Sequence, residues 1–455
     1  MDVEELRSLR TELGRYLRSF KGCVKTAASR RHFRTYLEGQ LGDLERKNVA
    51  SIALEARVPP RTLQEFLELH RWDHQQARQR HQRRVVQQHP SREALAVVDE
   101  TGFAKKGDKT AGVQRQYCGA TGKTDNCTVS VHLGYVAEDF HTLVDSDLYL
   151  PESWLADRER CRQAGIPHSV EFRPKWRIAL DLLDRAAAHG IRYKYLTADE
   201  EYGSCTAFRN AVHSREILYV VEVRCSTVGW SKRQGVNRAP QRVERLGCVL
   251  LRYRGQFFHV KNTDKGPAVW EAAATRFSPS EEKHPAPEAW LIVARNALDQ
   301  EVKYFLSNAP SQMPLKRMLK IAFGRAEIEQ MFKESKGQIG LDHFEVRHYQ
   351  PLIRHLILSM LSLTFLVEQT ARLRGGKPPL DAAAGPLERG GPIRPHDESC
   401  RAKASSPGRA PTGPVLAAVQ RTRQAQPLRT APRTTQNAGH SSIPTDQVLQ
   451  LLVAL

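Results

Sequence analysis

Residues 94–103 read ALAVVDETGF and residues 194–203 read KYLTADEEYG. Each is a short apolar or aromatic run that closes on an aspartate, Asp99 in the first and Asp199 in the second. Apolar runs of about four to eight residues bounded by polar turn residues are the pattern of buried central strands. An acid at the end of each run therefore predicts two carboxylates projecting from the ends of two central strands. Carboxylate oxygens are hard ligands suited to Mg²⁺ or Mn²⁺, so converging acids of this kind can hold divalent cations. Taken singly, either aspartate would equally serve to open a turn.

Working outward, NCTVSVHLGYVA (126–137) and FHTLVDSDLYL (140–150) are rich in β-branched and aromatic residues and predict two further strands in a meander with the first. WRIALDLLDRAAAH (176–189) carries apolar residues at helical spacing and stops at Gly190. After the Asp199 strand come a helix at AFRNAV (207–212) and a strand at ILYVVEV (217–223). This order predicts an α/β fold with an RNase H-like catalytic domain, a mixed sheet flanked by helices. Further strand-like pieces, GCVLLRYRGQFFHV (247–260) and AWLIVARNAL (289–298), predict a β-rich insertion.

The balance of 69 Lys+Arg against 50 Asp+Glu, a formal charge of +19, favours a polyanionic partner, with nucleic acid the default. The eight cysteines are scattered without zinc spacing and predict reduced, mostly buried thiols. Neither a signal sequence nor a run of about 18 apolar residues is evident, so the expectation is a cytoplasmic protein with no membrane partner. TGFAKKG lacks P-loop spacing, which argues against ATP.

A metal site of this kind needs a third acid, and the stretch 314–341, predicted as one helix after the strand VKYFLS, is the best carrier. Within it Glu329 has Arg325 four residues before, Lys333 four after and Lys336 seven after, neighbours around one side of a helix. Arg325 and Lys336 could neutralise DNA phosphates there, although a surface helix laced with ion pairs has the same spacing. Glu327 and Glu334 are rivals for the acid. Lys105, Lys106 and Arg115, close in sequence to Asp99, are candidates to line a scissile phosphate. Near the N-terminus, VASIALEARVPPRTLQEFLELHRW (49–72) has two apolar helical stripes split at Pro59-Pro60, in the manner of a helix-turn-helix or a plain helical hairpin. Arg78, Arg80, Arg83 and Arg84 follow as either phosphate contacts or a solvated face.

Arg325, Glu329 and Lys336 match a helix signature Tyr-x2-Arg-x3-Glu-x6-Lys, with Ala322 at the Tyr position and Phe323 beside it. Together with VVDETGFAKKGDKTAGVQRQYCGATGKTDNCTVSV around Asp99, LTADEEYG around Asp199 and AEIEQMFKESKGQIGLDHFEVRHY around Glu329, this resembles the bacterial insertion-sequence DDE transposases, in particular insertion-sequence family seven-zero-one. The blocks occur in family order across roughly residues 90–370.

The resemblance implies metal-ligand and catalytic roles for Asp99, Asp199 and Glu329, with phosphate-binding roles for Arg325 and Lys336. It also implies two Mg²⁺ ions, with Mn²⁺ able to substitute. The chemistry implied is cleavage at element ends followed by 3′-hydroxyl attack on target DNA. The partners expected are DNA, as element ends and target, and a second copy in a synaptic homodimer associated with the bacterial nucleoid. The insertion is expected to contact end DNA, with Trp230, Lys232 and Arg233 as candidates. The predicted layout is a helical, DNA-binding domain over 1–90, the catalytic domain in two parts over 91–223 and 304–372 around the insertion at 224–303, and a low-complexity, disordered tail over 373–455. A nuclease without strand transfer and a decayed, purely DNA-binding derivative are the competing readings.

Overall fold

In the computed structural model, which describes residues 3–231, 239–263 and 266–373, the chain opens on helices α1 (Val3–Arg18), α2 (Ala27–Leu41), α3 (Val49–Glu55), α4 (Pro60–Glu68) and α5 (His74–Gln88). Strands β1 (Leu95–Ala104), β2 (Gln114–Cys118), β3 (Lys123–Ala137) and β4 (Phe140–Tyr149) follow, then helices α6 (Glu152–Ala156), α7 (Arg158–Gln163) and α8 (Lys175–Ala188). The chain re-enters the sheet as β5 (Tyr195–Ala198), passes through α9 (Glu200–Gly203) and α10 (Thr206–His213), and returns as β6 (Leu218–Glu222). Next come β7 (Val228–Ser231), β8 (Gln241–Arg242), α11 (Val243–Arg254), β9 (Gln256–Thr263), β10 (Gly266–Glu281), β11 (His284–Pro285), β12 (Ala289–Asn296) and β13 (Val302–Ser307). Helices α12 (Leu315–Phe323), α13 (Ala326–Glu334) and α14 (Tyr349–Leu373) complete the described chain.

The strands order as β4-β3-β1-β5-β6, with β3 antiparallel to β1 and β4, and with β5 and β6 parallel to β1. Parallel neighbours cannot be joined by a tight turn, and α8 and α10 supply the required crossovers. The β1–β5 ladder ends at the pair Val98 and Ala198, so Asp99 and Asp199 are the next residues along two adjacent parallel strands. Ala96, Val98, Leu133 and Leu196 pack beneath α8 and α10 on one face. On the other, Leu95 and Val97 join Ile328 and Met331 of α13 in a core shared with α14 and the N-terminal helices.

The sheet continues past β6 through β13, which pairs antiparallel with it, to β12 and β10. The stretch 247–260 departs from the expected strand: it is helical through Arg254. Buried Val243, Leu246, Gly247 and Leu251 recur at helical spacing, and the chain turns at Gly255 into β9.

α14 is long and apolar enough to cross a membrane by composition, which corrects the expectation that no such run exists; 89% of its most apolar window is buried inside the protein. The N-terminal helices bury it. The Tyr16 hydroxyl donates to the Leu361 carbonyl at 2.9 Å, Tyr36 bonds His355 Nδ1 at 2.8 Å, and Gln40 bonds Ser359 at 2.8 Å. Arg354 reaches back to the carbonyls of Leu67 at 2.7 Å and His70 at 2.9 Å. His355 is a core histidine, its pKa pushed down to about 4 by burial. α3 and α4 form the helix pair anticipated around Pro59-Pro60, with Arg57 in the left-handed region at the turn (φ 54°).

The arginine run on α5 is neither a phosphate clasp nor a solvated face. Arg78 lies 3.2 Å from the fully buried Asp145, Arg80 donates to the Ser19 carbonyl at 2.7 Å, and Arg84 pairs with Glu368 at 2.7 Å. Only Arg83 of the four is exposed. Asp145 also takes Arg185 of α8 at 2.6 Å, so α5, β4 and α8 share one buried ion cluster. Removing one partner of such a cluster strands a buried charge.

β4 also fixes α13. His141 lies between two of the helix's glutamates, Nδ1 3.2 Å from Glu327 and Nε2 3.3 Å from Glu334. Both ring nitrogens must carry protons to donate to two carboxylates, which makes the ring an imidazolium. Burial alone would lower its pKa, but the two glutamates outweigh that and lift it to about 9.

Two outcomes follow for stability. The raised His141 pKa gives a contribution that is complete below the unfolded value of about 6.5 and is lost as pH rises through about 9. The melting temperature should fall across that window, and His141→Gln should flatten the fall. At Gly203 an added Cβ would lie 1.8 Å from the Glu222 carbonyl oxygen, a backbone atom that cannot yield. Gly203→Ala should cost on the order of 3 kcal/mol, read as a lowered denaturation midpoint.

Candidate active site

Side chains alternate across a strand, so Asp99 lies on the α12–α13 side of β1 and its neighbour Glu100 on the α8 side. Asp99 Oδ1 accepts from the Glu100 amide at 2.8 Å, and Oδ2 accepts from Arg325 Nη1 at 2.9 Å. Asp199 caps α9: Oδ1 accepts from the amides of Glu201 at 2.9 Å and Tyr202 at 3.3 Å. The turn-opening role weighed for Asp199 is thus real, and it fixes the carboxylate beside Asp99.

The single helix expected over 314–341 is in fact broken. A Cβ at Gly324 would meet Leu95 Cδ2 at 2.5 Å, a sign of how closely the chain passes β1, and the break separates α12 from α13. Arg325 stands at the N-cap of α13 and donates from Nη2 to Glu329 Oε1 at 2.9 Å. One guanidinium therefore ties Glu329 to Asp99, while the rivals Glu327 and Glu334 are held by His141. Beyond α13 the chain makes a π-helical turn over Ser335–Ile339, which carries Lys336.

Burial, with the charges of Asp199 and Glu100, pushes the Asp99 carboxyl up to about 8 even though Arg325 pulls the other way. Burial and Glu100 raise Asp199 too. Arg325 is held charged by Asp99, Glu329 and Asp199 against the burial that opposes its charge.

Behind Asp99, Glu100 accepts from Lys175 at 2.6 Å and from the Tyr202 hydroxyl at 2.7 Å, and Lys175 also pairs with Glu201 at 3.2 Å. The sequence pattern singled out none of these. The available signal was the alternation itself, which sends Glu100 to the opposite face from Asp99.

The cationic candidates divide. Lys106 and Arg115 are exposed. Lys105 donates to the Phe344 carbonyl at 2.7 Å with its ammonium 3.4 Å from that ring's centre, and burial lowers its pKa to about 8. Lys336 is half-buried, 6.0 Å from the Phe103 ring centre, its pKa lowered by burial. Trp230 is buried in β7, which favours packing; Lys232, Arg233 and the tail beyond 373 lie outside the described residues.

Among the described residues no three His, Cys, Asp or Glu side chains are placed to hold a metal ion together, and Arg325 bridges two of the three expected ligands. The donor chemistry nevertheless fits a hard divalent cation. Asp99 and Asp199 offer carboxylate oxygens from adjacent strand ends, burial and neighbouring acids raise the pKa of both, and Glu329 is one arginine away.

The family model of the DDE superfamily endonucleases matches residues 19–286. The probable transposase for insertion sequence element IS701 of Microchaete diplosiphon is 27% identical over 355 residues, covering 77% of this chain and 85% of that protein. The piggyBac transposase in its synaptic complex with hairpin DNA superposes with a TM-score of 0.38 at 8% identity, over 78% of this chain and 70% of that one. With more than half its length matched by the family model, the chain belongs to the DDE superfamily endonuclease family, as a DNA transposase.

Proposed function

We propose that this transposase cuts the ends of an insertion sequence and transfers the freed 3′-hydroxyl into target DNA, with Asp99, Asp199 and Glu329 as the catalytic acids. The observation that carries the reading is the juxtaposition of Asp99 and Asp199 at the ends of paired parallel strands, with Arg325 tying Glu329 to the same spot. The order β4-β3-β1-β5-β6 and its strand directions support an RNase H-like core. In the proposed layout that core is formed by 91–223 and 304–372, with an insertion at 224–303 and a helical DNA-binding part at 1–90.

Asp99, Asp199 and Glu329 would hold two Mg²⁺ ions, with Mn²⁺ able to substitute. When bound, such ions activate a water or a 3′-hydroxyl and stabilise the leaving oxygen of an in-line phosphoryl displacement. The residues of the chain set the stage. Asp199 is locked by two backbone amides, so its orientation is fixed before substrate arrives. His141, through Glu327 and Glu334, holds α13 at the height that brings Glu329 toward β1. Arg325 neutralises Asp99 and Glu329 while they face each other, and its planar fork can pass from carboxylate to phosphate, which has matching bidentate geometry. Lys106 and Arg115, both exposed, and the partly buried Lys105 and Lys336 are the further cations proposed to meet backbone phosphates. Two such sites acting together on two element ends require a homodimer at synapsis, acting at the bacterial nucleoid. No covalent link between protein and DNA enters the scheme.

The test is incubation of the full chain with its element's end DNA and a target plasmid in Mg²⁺ or Mn²⁺. Asp99→Ala, Asp199→Ala and Glu329→Ala should each lower cleavage and joining by about a thousandfold or more, as expected for removing a few kcal/mol of charge stabilisation. End binding without divalent cation should persist. Cleavage without joining in wild type would leave a nuclease, and binding alone would leave a DNA-binding remnant.

A further inference from the structure

α11 buries Val243, Leu246 and Leu251 in a core with β10, β12 and β13. Its outer stripe, Arg245, Cys248, Val249 and Arg252, falls at helical spacing and is exposed. At the end of the helix Tyr253 is 74% exposed, and on β9 Phe257 is 70% exposed. Phe257 pairs with Glu271, which shares a strand face with Ala273 beneath α11, so Phe257 stands on the α11 side of the sheet. Its neighbour Phe258 lies on the opposite face, packed against the main core. Two aromatic rings thus remain in water on one side of the sheet, a short turn apart. The Arg252 guanidinium lies 5.8 Å from the centre of the Tyr253 ring. Exposed Arg242, Arg245, Arg252 and Arg254 outnumber the one exposed acid of the helix, Glu244.

Two large rings left in water among arginines form a surface suited to a partner, and the arginines decide which partner. A second protein surface would need acids to answer the cations. A strand with unpaired bases supplies both halves at once: flat π-faces for the rings and phosphates for the guanidiniums, the combination that single-strand-binding grooves use. We propose that the α11–β9 surface binds unpaired nucleotides of DNA, with bases stacking on Tyr253 and Phe257 and phosphates on Arg245, Arg252 and Arg254. The proposal rests on the DNA-acting reading above but not on the three acids.

The experiment measures fluorescence anisotropy of the full chain, without divalent cation, on a blunt duplex and on the same duplex carrying an oligothymidine extension. Wild type should bind the extended duplex about tenfold more tightly, a factor in the range of one or two stacked bases. The double variant Y253A/F257A should lose that preference. Because both rings are exposed, it should melt with wild type; Y253W/F257W, which keeps two stacking faces, should retain the preference and guards against a folding artefact. R245Q/R252Q should weaken both duplexes and shallow the salt dependence.

No preference in wild type, or an undiminished one in Y253A/F257A, would overturn the proposal. So would a dimer in sedimentation velocity that Y253A/F257A turns into monomer with DNA preference unchanged, since the surface would then belong to a second copy of the chain. A preference that persists in a wild type unable to cleave would sink the catalytic reading and leave this one standing.

Discussion

Two carboxylates held side by side in a half-dry pocket repel each other, and much of this structure is arranged around that fact. The parallel ladder of β1 and β5 runs out at Val98 and Ala198, so Asp99 and Asp199 have no choice but to be neighbours. Burial sharpens the repulsion by denying them water, and Glu100 adds a further negative charge from the back of the same strand. Arg325 answers from the front and Lys175 from behind. A cation bound between the two carboxylates would relieve that repulsion.

The surrounding architecture keeps that arrangement rigid. The glutamate-bearing helix is pinned at two points a couple of turns apart by one imidazolium, so Glu329 between them cannot slide along β4. Behind it, α14 serves as a central post, and the N-terminal helices close around it with hydrogen bonds between buried polar groups. Buried polar contacts of this sort add little net stability, but they penalise any other packing, which favours one arrangement over near alternatives.

The parts of this design that were legible in the sequence are those written in local pattern. The apolar runs ending at Asp99 and Asp199 and the helix 176–189 announce themselves by period and by what ends them. Legibility fails where long-range contact decides. GCVLLRYR reads as a strand because its Cys, Val and Leu residues are contiguous, yet burial selects Leu246, Gly247 and Leu251, a helical set that only the underlying sheet can define. The helix 314–341 breaks at Gly324, where the chain passes close to Leu95, far away in sequence. Arg78 reads as surface charge because its partner, Asp145, belongs to another element. Among Glu327, Glu329 and Glu334, spacing cannot tell the partners apart; Glu327 and Glu334 share His141, a residue on a strand with no sequence signal of its own, and Glu329 pairs with Arg325. The family blocks are more specific than any of these patterns, and the family model's match over residues 19–286 spans the two that contain Asp99 and Asp199.

The packing of the first helices against the last has a consequence for synthesis. Tyr16 meets Leu361 across a separation of 345 residues, and Tyr36 meets His355 across 319. Contacts so distant in sequence close late, after the entropy of a very long loop has been overcome. A ribosome must release nearly all of α14 before the opening helices can find their seat, and the strand ends bearing Asp99 and Asp199 are made well before the Glu329 helix that packs on β1. Of the three proposed acids the nascent chain thus carries two, Asp99 and Asp199, well before Glu329 is added, and the proposed set would be complete only once α13 has been made.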